Sequence, residues 1–189
     1  TGSAPNAIRN PHFYDFNRSW GEYSRLGREL VEASDHQAAF EGPPGIANRE
    51  LLYELVSIAP DAQSVSFWVG DSGAFASWWG SDPQQLPPNE PNYLRASLYD
   101  MTLTTELVRL WQINLVRQMG CEPDAASYNL TPDELALVRG QTVALVFEFQ
   151  KTTTVEHFSA GAHVDDIHLH ICSPSPPCRV NRDKTASPS

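Results

Sequence analysis

The sequence predicts an all-β chain: a two-sheet antiparallel β-sandwich of jelly-roll type with irregular N- and C-terminal arms. Three observations carry this. Val143, Leu145, Phe147 and Phe149 recur at every second position, the pattern of a strand with one face on a core, because successive side chains point to opposite sides. Ile167, Leu169 and Ile171 repeat the pattern against His168 and His170. Finally, about nine or ten strand-like runs are divided by turn signals, as in sandwiches, and no internal repeat occurs.

Taken in order, residues 1–9 form an irregular arm, 10–16 a short first strand, and Trp20 plugs one end of the sandwich. Between 22 and 40 the alternation is poor (Tyr23, Leu26, Leu30, Val31, Phe40). That stretch fits one or two strands, or a short helix near 25–33. A turn at 41–45 follows, marked by Gly and Pro. Residues 49–58 and 64–69 read as strands, the second with Val65, Phe67 and Val69 inward and Trp68 outward. Residues 70–92 read as a long loop, a length that usually means function or disorder.

The run 93–99 is a strand with Leu94, Ala96 and Leu98 on one side and Tyr93, Arg95, Ser97 and Tyr99 on the other. Residues 105–116 form a strand with Leu107, Arg109, Trp111, Ile113 and Leu115 on one face. Residues 118–126 read as a loop. Thr131-Pro132-Asp133-Glu134 is a capping box with proline at the first helical position, predicting a short helix to about Val138. The organisation is therefore an arm (1–9), one sandwich (10–172) and a Ser/Pro-rich basic tail (173–189).

Composition narrows the function. With 189 residues, 41% of them hydrophobic, the chain supports one sizeable core. A net charge of -10 argues against nucleic acid and anionic membrane surfaces as partners. No apolar run approaches the roughly 20 residues of a membrane span, so no membrane insertion is expected. The chain opens Thr1-Gly2-Ser3 without a methionine, which fits a processed mature form or a trimmed one. Three cysteines leave one unpaired or bridging to another chain. Cys172 with Cys178, or Cys121 with Cys172, are the disulfide alternatives. The sequons at Asn17 and Asn129 are compatible with secretion.

No catalytic residues are expected, and the chain is not read as an enzyme. A Gly-x-Ser-x-Gly nucleophile elbow is missing, and Gly70-Asp71-Ser72-Gly73 reads as the start of a Gly-rich loop. Asp165 and Asp166 are adjacent in a strand, so they face opposite sides and form no acid/base pair. His168 and His170 share one face, two metal-ligand types that need a third to make a site.

Gly140-Gln141-x-Val143-x-Leu145-x-Phe147, followed by Val164-Asp165-Asp166-Ile167-x-Leu169, resembles the closing strands of extracellular β-jelly-roll modules similar to carbohydrate-binding modules. Asn10-Pro11-His12-Phe13-Tyr14, Trp20 and Phe67-Trp68-Val69 extend the resemblance over residues 10–172. It implies an extracellular or cell-surface location. It also implies a structural calcium near the first and last strands, with Asp15, Asp165 and Asp166 among its oxygen donors; no other cofactor is required. Tyr14 stands where the family places a Glu. The resemblance further implies polysaccharide binding on a concave aromatic face, here Trp68, Tyr93, Arg95, Tyr99 and Trp111.

A competing expectation comes from the arms and the 70–92 loop. Trp78 and Trp79 sit together in that loop, and Arg179, Arg182 and Lys184 make the tail basic on an acidic body. Such features suit contacts between copies of one chain. The leading expectation is a non-catalytic extracellular structural subunit that self-assembles into a filament, tubule or surface layer. The alternative is a carbohydrate-binding module.

Overall fold

Alternating strands need something to bury their apolar face against, and here two antiparallel sheets bury theirs against each other. The first has the order β1 (Gly21–Ser24), β4 (Asn48–Ser57), β9 (Thr142–Lys151), β6 (Asn92–Asp100), β7 (Glu106–Asn114). The second has the order β2 (Val31–Glu32), β3 (Gln37–Gly42), β10 (Phe158–Cys172), β5 (Ser64–Trp78), β8 (Asp124–Asn129). The structure is a computed structural model that describes residues 5–32, 34–78, 90–115 and 124–174. The expected β-sandwich is what forms.

β9 lies in the middle of its sheet and turns Val143, Leu145, Phe147 and Phe149 inward, all fully buried. Phe147 packs on Phe67 of the opposite sheet with ring centroids 6.1 Å apart, and Phe149 on Phe40 at 5.9 Å. Each buried ring of this kind contributes roughly 1.5–3 kcal/mol. The capping box also forms: Thr131 Oγ1 accepts from Glu134 N, Glu134 Oε1 accepts from Thr131 N, and α1 (Pro132–Val138) follows.

Several expectations change. Residues 10–16 are turns, with positive φ at Asn10, Phe13 and Phe16. Asn10 staples them: its amide donates to the carbonyls of Phe16 and Arg18, and its Oδ1 accepts from Asp15 N. Trp20 is buried against Phe13, as a plug should be. The preceding segment is stitched to β10, where Ala7 N donates to Leu169 O, and Asn6 bonds Ile167 O and Leu169 N. Buried Glu54 holds the same segment by accepting from Arg9 N and Ser19 Oγ. No helix forms near 25–32; three short strands occupy the stretch before Gly42 instead.

The predicted loop at 70–92 begins as strand. β5 runs unbroken to Trp78, because Gly70 and Gly73 lie beneath side chains of β10 rather than in a turn. β8 is a further strand hidden in a short polar sequence, at the sheet edge. In β7 the register shifts between its pairings with Ala96 and Ser97. That bulge puts Val108 and Leu110 in the core in place of Leu107 and Arg109.

β9 ends on Lys151, whose side chain is fully buried. Its stem crosses Gly42, where a Cβ would come within 2.5 Å of Lys151 Cδ. Its Nζ donates to the carbonyls of Ile46 (2.7 Å), Pro43 (2.9 Å) and Thr153 (3.1 Å). Burial holds the amine down, to about 8. Lys151→Met keeps the stem but strips three carbonyls of their donor, that of Thr153 among them buried. We expect it to cost about 2–4 kcal/mol in urea unfolding; a cost near zero would show that water replaces the amine freely.

Candidate functional site

The side of the first sheet turned away from the core carries a continuous polar network. Four adjacent strands, β4, β9, β6 and β7, supply it. In β6, Leu94, Ala96 and Leu98 face the core, so Tyr93, Arg95, Ser97 and Tyr99 face out, as the alternation predicts. In β9, register places Glu148 beside Arg95 and Gln150 beside Tyr93. In β4, Arg49 lies beside Gln150, and Leu51 beside Glu148.

Glu148 is the hub. Its side chain is 6% exposed, and Arg49 grips its Oε2 through both Nε and Nη2 at 2.8 Å. The Tyr93 hydroxyl lies 2.9 Å from Glu148 Oε1 and 3.1 Å from Gln150 Oε1. Burial, reinforced by the Glu148 charge, pushes the Tyr93 hydroxyl well above the usual tyrosine range. Tyr99 shifts the same way, through burial and then the charges of Glu148 and Glu106.

Arg95 bridges the network. Its guanidinium lies 3.9 Å from the centroid of the Tyr93 ring, Nε donates to Gln112 Oε1 at 2.8 Å, and Nη1 sits 3.9 Å from both Glu106 and Glu148. Ser97 Oγ and Arg109 Nη2 both donate to Glu106. Burial works to raise Glu106, but those hydrogen bonds and the two guanidiniums hold it below the usual carboxylate range. Towards the β1 edge, Tyr23 is exposed and the Tyr53 ring lies over Gly21. Arg49, Tyr53, Glu106 and Glu148 are not marked as site residues by the sequence. The one signal was Glu148 itself, a carboxylate set between Phe147 and Phe149 in a central strand.

The expected aromatic platform divides into three. Tyr93, Arg95 and Tyr99 come together as described. Trp111 stands opposite Ala96, a core position, and packs against the core. Trp68 belongs to the other sheet and is 6% exposed, with its ring 4.3 Å from His168, so it offers no open face.

The outer side of the second sheet gathers His12, Asp165, Asp166 and His168. β5 and β10 change phase together at Gly70 and Asp166, where Asp166 adopts φ 55°. The two adjacent aspartates therefore do not face opposite sides, as simple alternation requires. The His12 ring reaches both, at 3.9 Å from Asp165 and 3.5 Å from Asp166, and His168 Nε2 lies 2.6 Å from Asp166. Asp15 sits in the turn that Asn10 holds. Among the described residues no group of three His, Cys, Asp or Glu side chains is disposed to hold a metal ion. Cys172 is buried at the end of β10. Cys121 and Cys178 lie outside the described residues, as do Trp79, Arg179, Arg182 and Lys184. Trp78 is the last residue of β5.

Other proteins share the architecture. A CBM4 module superposes with a TM-score of 0.52 at 13% identity, over 84% of this chain and 99% of that one. A CBM61 module, solved in complex with β-1,4-galactotriose, gives a TM-score of 0.49 at 11% identity, over 89% and 99%. A Stig cyclase from Fischerella sp. TAU gives 0.44 at 12% identity, over 94% and 99%. At such identities the likeness speaks for the fold alone: a β-sandwich of the carbohydrate-binding-module kind. No protein-family model and no curated protein matches the chain.

Asp165 generates a pH prediction. Burial raises its carboxyl to about 6, above the roughly 3.9 of a free aspartate. The associated stability is fully present below about pH 4 and lost as pH rises through about 6. Asp165→Asn keeps the acceptor for Asp166 N and removes the buried charge. We expect the variant to melt above the wild type at about pH 7, with the gap closing by about pH 4. An equal gap at both pH values would sink this account.

Proposed function

We propose that this protein is a non-catalytic, extracellular carbohydrate-binding module that holds a polysaccharide on the outer face of its first sheet. The observation that carries the reading is Arg95, pinned over the Tyr93 ring and held by Gln112 between Glu106 and Glu148. Polar side chains locked in place before the ligand arrives lose little freedom on binding. Fixed guanidinium, carboxylate and amide groups suit the paired hydroxyls of a sugar, which both donate and accept. Tyr99 beside them, with Tyr23 and Tyr53 towards β1, supplies ring surface. The sandwich likeness to a CBM4 module supports this alternative over the self-assembling subunit. No helix among the described residues is long and apolar enough to cross a membrane.

The test is titration calorimetry against a panel of soluble neutral polysaccharides. We expect one class to bind, and Arg95→Ala and Tyr99→Ala each to weaken it about tenfold, roughly 1.4 kcal/mol, with melting temperature held within a few degrees. Absence of binding across the panel, or variants that bind like the wild type, would remove the assignment.

A further inference from the structure

The outer face of the second sheet carries a depression created by missing side chains. Register sets Ala39 of β3 beside His163 of β10, and His163 beside Gly73 of β5. One step along, Glu41 lies beside Gly161, and Gly161 beside Phe75. A Cβ on Gly161 would overlap the Phe75 ring, and one on Gly73 would come within 2.5 Å of His163 Cε1. The two rings therefore lie down over glycines, against the sheet, and Phe75 remains 39% exposed. A cavity of about 260 Å³ opens beside them, bounded by Arg28, Glu32, Gln37, Glu41, Phe75 and His163. That falls just under the ~300–1,000 Å³ of drug-sized ligand pockets, a space for one sugar ring rather than a large ligand.

The charge of the walls selects the ligand. Arg28 is the one fixed cation of the lining, and it is fully engaged: Nε is 3.2 Å from Glu41 Oε2 and Nη1 2.7 Å from buried Glu50. Glu50 also accepts from Glu41 N. Among the described residues, Glu32 accepts a neutral amide, that of Gln37, at 3.2 Å. His163 faces the carboxylate of Asp71 at 3.3 Å. Carboxylates thus outnumber the guanidinium around an exposed aromatic ring, in a chain of net charge -10. Such a site rejects anions and favours a cation near the ring face.

We propose that this depression is a ligand site for a single amino-sugar residue carrying a protonated amine. The sugar ring lies against Phe75, the ammonium faces Glu32 and Glu41, and the Gln37 amide meets a hydroxyl. The site shares no residue with the face of the first sheet, so the two assignments stand or fall separately.

The experiment uses the full chain carrying Arg95→Ala, which disables the first-sheet face. Calorimetry at neutral pH compares a short glucosamine oligomer, its N-acetylated counterpart, a neutral glucose oligomer and lysine amide. We expect the glucosamine oligomer to bind at least about tenfold more tightly than the other three. Phe75→Ala and Glu32→Gln, both at partly exposed positions, should each weaken it about tenfold, the scale of a cation–π contact or one charge-assisted hydrogen bond. The proposal would be overturned by no binding of the glucosamine oligomer, by equal binding of its acetylated form, or by affinity that survives Phe75→Ala. Lysine amide binding as tightly would do so too, since the site would then recognise any primary amine.

Discussion

The pairing of β5 with β10 is the constraint on which the rest of the structure depends. It runs through fourteen register pairs, from Phe158 opposite Trp78 to Cys172 opposite Ser64. Both strands change phase at one point without losing register. Up to Val164 the even-numbered residues of β10 face the core; from Ile167 the odd-numbered ones do. Two local features permit this. Asp166 takes a left-handed φ of 55°, which costs a non-glycine residue about 1–2 kcal/mol. Gly70 stays bare because the Asp166 carboxylate occupies the space its side chain would need. A one-residue slip in either strand would turn its whole apolar set to solvent, so this joint fixes the second sheet. It also brings Asp71, Asp165 and Asp166 out together, and there the N-terminal segment docks, through Ile167 N on Pro11 O.

What was legible in the sequence follows from this geometry. Strict alternation in 143–149 and 94–98 marked the core strands and their outward faces, because those strands obey the two-residue period throughout. The capping box at Thr131 was legible because it is a local device. Gly70-Asp71-Ser72-Gly73 reads as a loop because glycine's absent side chain has two uses, backbone freedom and space, and sequence does not distinguish them. Here the use is space. Leu107 and Arg109 share one face with Trp111 by simple alternation, but the bulge after Ala96, set by pairing with a neighbouring strand and not by the residues of β7, parts them. Residues 10–16 read as a short strand, yet the Asn10 side chain competes for backbone partners and wins.

The candidate site was half visible for a related reason. Tyr93, Arg95 and Tyr99 lie on one strand, so a single period identifies them. Arg49, Glu106 and Glu148 come from three other strands, and only the order β4-β9-β6-β7 places them alongside. The depression on the second sheet was invisible for the opposite reason. Its defining residues, Ala39, Gly73 and Gly161, matter for what they lack, and they come together only once β3, β10 and β5 are aligned.

The two faces handle charge in ways that limit what each can bind. On the first sheet, Arg49, Arg95 and Arg109 each lie against a carboxylate. The face therefore presents fixed dipoles and hydrogen-bonding groups but no patch of free positive charge. An anionic polymer would have to displace Glu106 or Glu148 from these partners, and displacing a largely buried carboxylate leaves an unpaired guanidinium behind, a large penalty. A neutral polyol pays no such penalty, since it adds hydrogen bonds at the rim without breaking the inner ones. On the second sheet the carboxylates are in excess, and there a positive group is what completes the arrangement. The net charge of -10 is thus the coarse expression of a finer division. On the proposed reading both faces disfavour anions, one by locking its cations away and the other by surrounding Arg28, the cation of its depression, with carboxylates.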